Sequence, residues 1–213
     1  MNSRRSTYRN VYEIHEAFAE RKQIIHDRLR EFAETKPDDY YYELAYCLLT
    51  PQSSAFHAAA VIDQLRRADF LNTNIEPTVF LRQKTQYIRF HNTKARRLLE
   101  AKDRFPLIAG TLSHGGTAPE LREWLVRHVK GLGWKEASHF LRNIGHRRLA
   151  ILDRHILKNL KHYGVLRSIP HTLTPRRYIT IEAKFAAFAA EVGVSMDELD
   201  LLFWSKETGQ VLK

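Results

Sequence analysis

The sequence contains a single cysteine, Cys47, in a chain of 213 residues. An intramolecular disulfide needs two cysteines and a cysteine-ligated iron–sulfur cluster needs several, so both are excluded. Cys47 lies within a run of apolar residues, which predicts a small buried side chain. No metal site and no other cofactor is predicted.

Long apolar runs and alternating apolar patterns are also missing. No stretch of about 18 apolar residues could span a bilayer, and the start M-N-S-R-R-S lacks the apolar core of a signal peptide. We therefore expect an intracellular protein in a reducing compartment. Because no period-two alternation is long enough to indicate a sheet, the predicted class is all-α.

Positive charge is in excess, with 34 Lys and Arg against 24 Asp and Glu and a formal net charge of +10. This balance suits a polyanionic partner without identifying it. Residues 130–162 contain eight Lys or Arg and two acids, whereas residues 187–213 contain two Lys or Arg and five acids. The basic surface is therefore predicted around 130–162.

Two glycines, Gly131 and Gly133, separate two stretches of helical periodicity. The first predicted helix starts near Pro119, and the second stops at Gly145. A glycine turn between helices offers bare amide groups to an anion, which on DNA is a phosphate, although a purely structural turn has the same pattern. The second helix is predicted to bury Ala137, Phe140, Leu141 and Ile144 and to point Lys135, Ser138, His139 and Arg142 the other way.

Lys135 comes two positions after the second glycine, in G-L-G-W-K, and Asp153 comes eighteen positions later in L-D-R-H-I. This spacing resembles the helix-hairpin-helix DNA glycosylase superfamily. G-W-K-E-A-S-H-F-L-R-N-I-G and the tail L-F-W-S-K-E-T-G-Q-V-L-K resemble its compact, archaeal-type 8-oxoguanine DNA glycosylase/AP lyases. The resemblance covers most of the chain and is strongest from Lys130 onward.

The resemblance implies one glycosylase unit over residues 1–213, with two helical lobes around a DNA-binding cleft and the hairpin and catalytic segment at about 119–163. It implies a bifunctional enzyme of base excision repair whose partner is double-stranded DNA containing 8-oxoguanine. We further expect a monomer without membrane association, in the cytoplasm with the nucleoid.

By resemblance, Lys135 is the Schiff-base nucleophile and Asp153 supports departure of the base. From the residues alone, Lys135 also fits a surface lysine that contacts phosphate, and Asp153 fits the N-cap of a helix that starts after it. Capping and catalysis are compatible for Asp153, because backbone hydrogen bonds keep a carboxylate ionised.

Three further DNA-facing residues follow from the resemblance. Gln52 is a candidate wedge for the gap left by an extruded base, in a loop where Ser53 or Ser54 caps the next helix. Phe90 lies among interleaved aromatic and basic residues and would contact the flipped base, although a solvated helix gives the same mixture. His155 matches a phosphate-contacting histidine, and a solvated helix histidine fits equally.

The tail supplies two more candidates. Trp204 matches the tail tryptophan of the compact family and would form part of the base pocket, or else is a core aromatic on an amphipathic helix. Lys213 ends the chain and would read the base with its carboxylate and its ammonium, whereas the last residue of an arbitrary protein carries no such meaning.

Local patterns give three more expectations. An almost continuous apolar run predicts a buried helix over Tyr40–Leu49, with an aspartate as its N-cap. The helix after Phe90 is predicted to continue to about Arg104, and residues 111–117 to form a mobile connection.

Two other functions remain open. One is a helix-hairpin-helix glycosylase for another oxidised base or for abasic sites. The other is a helix-hairpin-helix module that binds DNA without catalysis. A covalent adduct would separate an enzyme from a binding module.

Overall fold

The computed structural model describes residues 8–211, and within this range the regular structure is entirely helical. The predicted all-α class is confirmed. Two short 3-10 turns, Pro37–Asp39 and Lys84–Gln86, accompany the α-helices. The helices are α1 (Val11–Ala33), α2 (Tyr40–Leu49), α3 (Ala55–Arg67), α4 (Thr78–Leu81), α5 (His91–His114), α6 (Ala118–His128), α7 (Trp134–Asn143), α8 (Arg154–His162), α9 (Pro175–Val192) and α10 (Met196–Thr208).

The chain divides into two compact units. The hairpin unit is Thr35–Ile144, and the terminal unit combines the chain up to Glu34 with the chain from Gly145 onward. The boundary falls inside the predicted catalytic segment, so Lys135 belongs to the hairpin unit and Asp153 to the terminal unit.

Helix α2 is the centre of the hairpin unit, and residues 41–49 of this helix are all buried. It packs against α3, α5 and α7, which confirms the predicted buried helix. The predicted aspartate cap is wrong. A 3-10 turn runs directly into α2, so Asp39 has a helical rather than an extended backbone, makes no capping hydrogen bond and pairs with Arg66 instead.

Helix α5 is longer than predicted, because it runs past Arg104 to His114 with Pro106 inside it. The proline costs one backbone hydrogen bond, but Ala101 and Ile108 on either side of it are buried, and their packing holds the helix together. The prediction of a mobile connection from 111 is therefore wrong for residues 111–114. The helix ends where Gly115 and Gly116 adopt positive φ angles of 81° and 149°.

The terminal unit is built around α10, against which α1, α8 and α9 pack. Its core contains stacked aromatic rings, with Tyr163 stacked on Phe188 and on Phe203 at centroid distances of 5.8 and 5.5 Å. Among residues 8–211, no helix combines the length and the apolar character that crossing a membrane requires.

Candidate active site

The predicted glycine turn connects α6 to α7 within the hairpin unit. A capping box starts α6, in which Thr117 accepts from the Glu120 amide and Glu120 accepts from the Thr117 amide. The helix ends at His128, and Leu132, between the two glycines, is buried. The hairpin is thus anchored by an apolar side chain while its glycines lie nearer the surface.

Gly131 is required by both backbone conformation and space. Its φ of 95° lies in the left-handed region, and a Cβ atom there would come within 2.6 Å of Cδ of Arg97 on α5. Arg97 therefore passes directly over the turn. With Arg96 and Lys130 it lines an open, mainly cationic depression beside Gly131, which also contains Glu100, and this is a suitable environment for a phosphate.

Replacing Gly131 by alanine is expected to lower the free energy of unfolding by about 1–3 kcal/mol, because the new side chain forces a strained backbone against Arg97. Gly110 is the matched control, since it lies inside α5 with open space around it, and alanine there should stabilise the protein by about 0.5–1 kcal/mol. Urea unfolding of both variants measures the difference. A Gly131→Ala protein as stable as the wild type would contradict the strained geometry.

Lys135 is the second residue of α7, and its side chain is 30% exposed. Its Nζ lies 3.1 Å from Oε1 of Glu136. The other carboxylate oxygen of Glu136 accepts a hydrogen bond from the Gly133 amide at 3.2 Å. One carboxylate thus joins the hairpin to the candidate nucleophile. Sequence reasoning missed this role for Glu136, although a Glu three residues after an N-cap position is the spacing of a capping box.

The polar face predicted for α7 is partly wrong, since Ser138 and Arg142 are buried. Arg122 of α6 donates a hydrogen bond to Ser138 Oγ at 3.2 Å. Arg142 donates to Asn143 Oδ1 at 3.0 Å, and Asn143 donates to Glu43 of α2 at 2.9 Å. Because α6 and α2 both pack on α7, polar residues on two sides of this helix are enclosed. The predicted apolar face is confirmed, as all four of its residues are buried.

In the terminal unit, Asp153 is the N-cap of α8, as predicted. Its Oδ1 accepts a hydrogen bond from the Ile156 amide at 2.8 Å. The preceding segment is held by Tyr178 of α9, whose buried hydroxyl donates to the Ala150 carbonyl at 2.6 Å and accepts from the Leu152 amide at 3.2 Å. The hydroxyl of Tyr178 therefore holds the backbone that leads to Asp153 at two points, one on either side of Ile151. No sequence signal pointed to Tyr178.

His155 lies two residues further, in the first turn of α8. Its Nδ1 is 3.4 Å from a carboxylate oxygen of Glu207 on α10, and the histidine side chain is 36% exposed. Nδ1 is buried without a hydrogen-bond partner, so the carboxylate of Glu207 is near the ring without forming a hydrogen bond to it. Its contact with phosphate remains a prediction.

Gln52 and Phe90 are exposed residues on neighbouring loops of the hairpin unit. Both have left-handed backbones, with φ angles of 56° and 60°, which are uncommon for residues other than glycine. The loops are joined, because the Arg89 amide donates to Ser53 Oγ at 3.0 Å. Ser54 caps α3 through the His57 amide, as predicted for one of the two serines. Strained residues often cluster at functional sites.

Lys94, the fourth residue of α5, lies beneath these loops with only 2% of its surface exposed. Its ammonium donates to the Leu49 carbonyl at 2.6 Å, the Pro51 carbonyl at 2.7 Å and Ser53 Oγ at 3.0 Å. Burial, and then the nearby positive charges of Arg97 and Lys135, lower the pKa of Lys94 to about 8. A charged residue in a basic stretch suggests a solvated side chain, so this burial could not be predicted from local sequence.

The two candidates in the tail are Trp204 and Lys213. Trp204 is half-buried on α10, a position that fits both a pocket wall and a core aromatic. Lys213 lies outside the described residues. Within residues 8–211, no group of three or more His, Cys, Asp or Glu side chains could hold a metal ion.

An all-helical fold with a glycine hairpin, a lysine in the first turn of the helix that follows it and an acidic residue that caps a later helix is typical of the helix-hairpin-helix proteins to which DNA glycosylases belong. The family model described as 8-oxoguanine DNA glycosylase matches residues 25–194. The chain belongs to this family.

Relatives and solved structures agree with this assignment over nearly the whole chain. A protein of Fusobacterium nucleatum named 8-oxoguanine DNA glycosylase/AP lyase is 38% identical over 213 residues, covering 94% of this chain and 96% of the relative. A protein of the same name from Korarchaeum cryptofilum is 38% identical over 193 residues, covering 90% and 91%. The structure of the Methanocaldococcus jannaschii 8-oxoguanine glycosylase/lyase in complex with 15mer DNA containing 8-oxoguanine matches with a TM-score of 0.86 at 34% identity, covering 95% of this chain and 99% of that one.

Proposed function

We infer that the protein is a bifunctional 8-oxoguanine DNA glycosylase/AP lyase of base excision repair. Double-stranded DNA carrying this lesion is its substrate. The observation that carries the inference is Lys135, which lies in the first turn of the helix after the hairpin, in a chain whose relatives at 38% identity are named for this activity. A lysine at the start of a helix beside the amides of a glycine hairpin places a nucleophile next to a phosphate-binding turn.

Lys135 acts as the nucleophile in this proposal. Its ammonium transfers a proton to Glu136, whose carboxylate is 3.1 Å away, and the free amine attacks C1′ of the damaged nucleotide. The bond from C1′ to N9 breaks, and the base leaves with the electron pair and takes up a proton from water. Ring opening, in which the nitrogen loses a proton and O4′ gains one, gives a Schiff base between C1′ and Nζ. Loss of a C2′ proton to water then expels the 3′ phosphate and cuts the strand, and hydrolysis of the remaining Schiff base releases Lys135.

Asp153 stabilises the positive charge that develops on the sugar as the base departs. Its carboxylate accepts a hydrogen bond from the Ile156 amide, and a carboxylate held near a cationic transition state lowers the barrier. The helix cap and the catalytic role therefore use one carboxylate.

The base is read after it leaves the helix, at a cost of a few kcal/mol of lost stacking. We assign Gln52 to the gap in the duplex, Phe90 to the face of the flipped base and Trp204 to the pocket wall. The lesion has a hydrogen on N7, whereas N7 of guanine is an acceptor. A buried acceptor facing N7 would be satisfied by the lesion and left unpaired by guanine, and we assign Lys213 to this reading of the base.

We assign phosphate contacts to Gly131, Gly133 and His155. The Gly133 amide donates to Glu136 in the free protein, so a phosphate at this amide displaces the carboxylate. When Glu136 takes up the proton of Lys135 it loses its negative charge, so its hydrogen bond from the Gly133 amide weakens in the same step. We further propose that the enzyme acts as a monomer on nucleoid DNA in the cytoplasm, and light scattering with and without duplex tests the monomer.

Borohydride trapping tests the function. A duplex with one 8-oxoguanine should give a covalent protein–DNA adduct, because reduction fixes the Schiff base, and the same duplex with guanine should give none. Binding without an adduct on any damaged duplex would assign the protein to the non-catalytic modules. An adduct formed only with an oxidised pyrimidine would keep the chemistry and change the substrate.

A further inference from the structure

Lys94 is a buried charge that the proposed chemistry does not use. Its three hydrogen-bond acceptors, on Leu49, Pro51 and Ser53, are all neutral oxygens. A charged group removed from water is costly unless its hydrogen bonds are satisfied. The ammonium has three donors, and the three oxygens satisfy all of them, so the site is shaped for the charged form.

The acceptors of Lys94 lie at the end of α2 and in the loop that follows it. The carboxyl end of a helix carries partial negative charge, so a cation is favoured there. The loop contains Gln52, which is exposed and has a left-handed backbone. A strained conformation of this kind persists only where the surrounding structure imposes it, and hydrogen bonds from Lys94 to Pro51 and Ser53 hold the loop on both sides of Gln52.

Phe90 is tied to the same point. Ser53 Oγ accepts from the ammonium of Lys94 and from the Arg89 amide, both at 3.0 Å. The Lys94 amide also donates to the Phe90 carbonyl at 3.0 Å. The two exposed, left-handed residues are therefore connected through one buried side chain and one hydroxyl group.

We propose that Lys94 is a positioning residue whose buried ammonium fixes Gln52 and Phe90 in one arrangement before DNA binds. This rests on the proposed function, which assigns the first residue to the gap in the duplex and the second to the extruded base. Holding both in advance removes the entropy cost of ordering two loops during base extrusion.

The charges around Lys94 oppose its charged form and make the proposed role depend on pH. Arg97 lies on the same helix and Lys135 on α7, and both are cations that lower the pKa of Lys94 together with its burial. Glu136, beside Lys135, is the carboxylate on α7 nearest to this group of cations. With a pKa of about 8, Lys94 remains mostly charged at pH 7 and loses one of its three donors as the pH rises through 8. Loop order should weaken over the same interval.

The test compares Lys94→Met with Lys102→Met. Lys102 is the matched control, because it also lies on α5 and also donates to a loop carbonyl, that of Thr73. We expect Lys94→Met to slow single-turnover excision of 8-oxoguanine from duplex DNA by about 10²-fold, the scale expected for a misplaced substrate-positioning group. Amide hydrogen exchange in residues 50–54 should rise in this variant. Both quantities should stay near wild type in Lys102→Met.

A double variant shows whether Lys94 acts through Gln52. Lys94→Met combined with Gln52→Ala should be no slower than the slower single variant, because both changes remove the same function. The proposal would be overturned if the losses in excision rate of the two single variants multiplied in the double variant. Wild-type amide hydrogen exchange in residues 50–54 of Lys94→Met would also overturn it. If Lys94→Met does not fold, Ser53→Ala removes the shared acceptor while the ammonium of Lys94 keeps its two carbonyl acceptors, and excision rate and amide exchange in residues 50–54 again decide. Wild-type excision in this assay tests the proposed function separately.

Discussion

Lys135→Gln is expected to form no borohydride-trapped adduct with 8-oxoguanine duplex and to lose excision by about 10³-fold or more, or at least about 4 kcal/mol of barrier lowering. Glutamine has nearly the length of lysine but cannot form a Schiff base. The site is in the first turn of α7 and partly exposed, so stability should change by less than about 0.5 kcal/mol. Adduct yield and single-turnover rates measure the effect.

Lys130→Gln is the matched control for this experiment. Lys130 lies at the same hairpin, is 77% exposed and pairs with Glu100. Its loss should weaken DNA binding and reduce the salt dependence, because one phosphate contact is removed, while the adduct still forms at saturating protein. An adduct that persists in Lys135→Gln and disappears in Lys130→Gln would move the nucleophile to the other lysine.

Asp153→Asn is expected to slow base excision by about 10²–10³-fold, the scale measured when one electrostatic contact to a developing charge is removed. Asparagine is as good an N-cap as aspartate, so the hydrogen bond to the Ile156 amide survives and the melting temperature should hardly change. This substitution separates the two roles of Asp153, which wild-type geometry combines in one carboxylate.

The excision rate and the melting temperature of Asp153→Asn should be measured on the same preparation. Asp153→Ala provides the comparison, because it removes both the charge and the cap and should also destabilise the protein by about 1 kcal/mol. If Asp153→Asn excises the lesion at the wild-type rate, the carboxylate serves α8 alone and has no part in the reaction.

Much of the fold could be read from the sequence because it depends on which side chains avoid water. The apolar run of α2, the helical spacing in α7 and the serine and aspartate caps at Ser54 and Asp153 are local patterns, and all were confirmed. Gly131 was found in the same way, since a left-handed turn favours glycine.

The remainder depends on contacts between residues far apart in the chain. Lys94 is buried because carbonyl groups 43 and 45 residues earlier receive its ammonium, and Arg142 because α7 is covered by helices on two sides. Hydropathy treats both as surface residues. The persistence of α5 through Pro106 was missed for the same reason, since packing outweighed a local helix breaker.

The hydroxyl of Tyr178 bears on how related sequences are interpreted. It forms hydrogen bonds with the Ala150 carbonyl and the Leu152 amide, two backbone groups in a segment that is neither helix nor strand. A phenylalanine at this position would pass as a mild difference in any pairwise comparison. It would nevertheless leave two buried backbone groups without a partner and loosen the chain just ahead of Asp153. Repair deficiency in such a homologue could then arise from a substitution on α9, outside both the glycine hairpin and the first turn of α8.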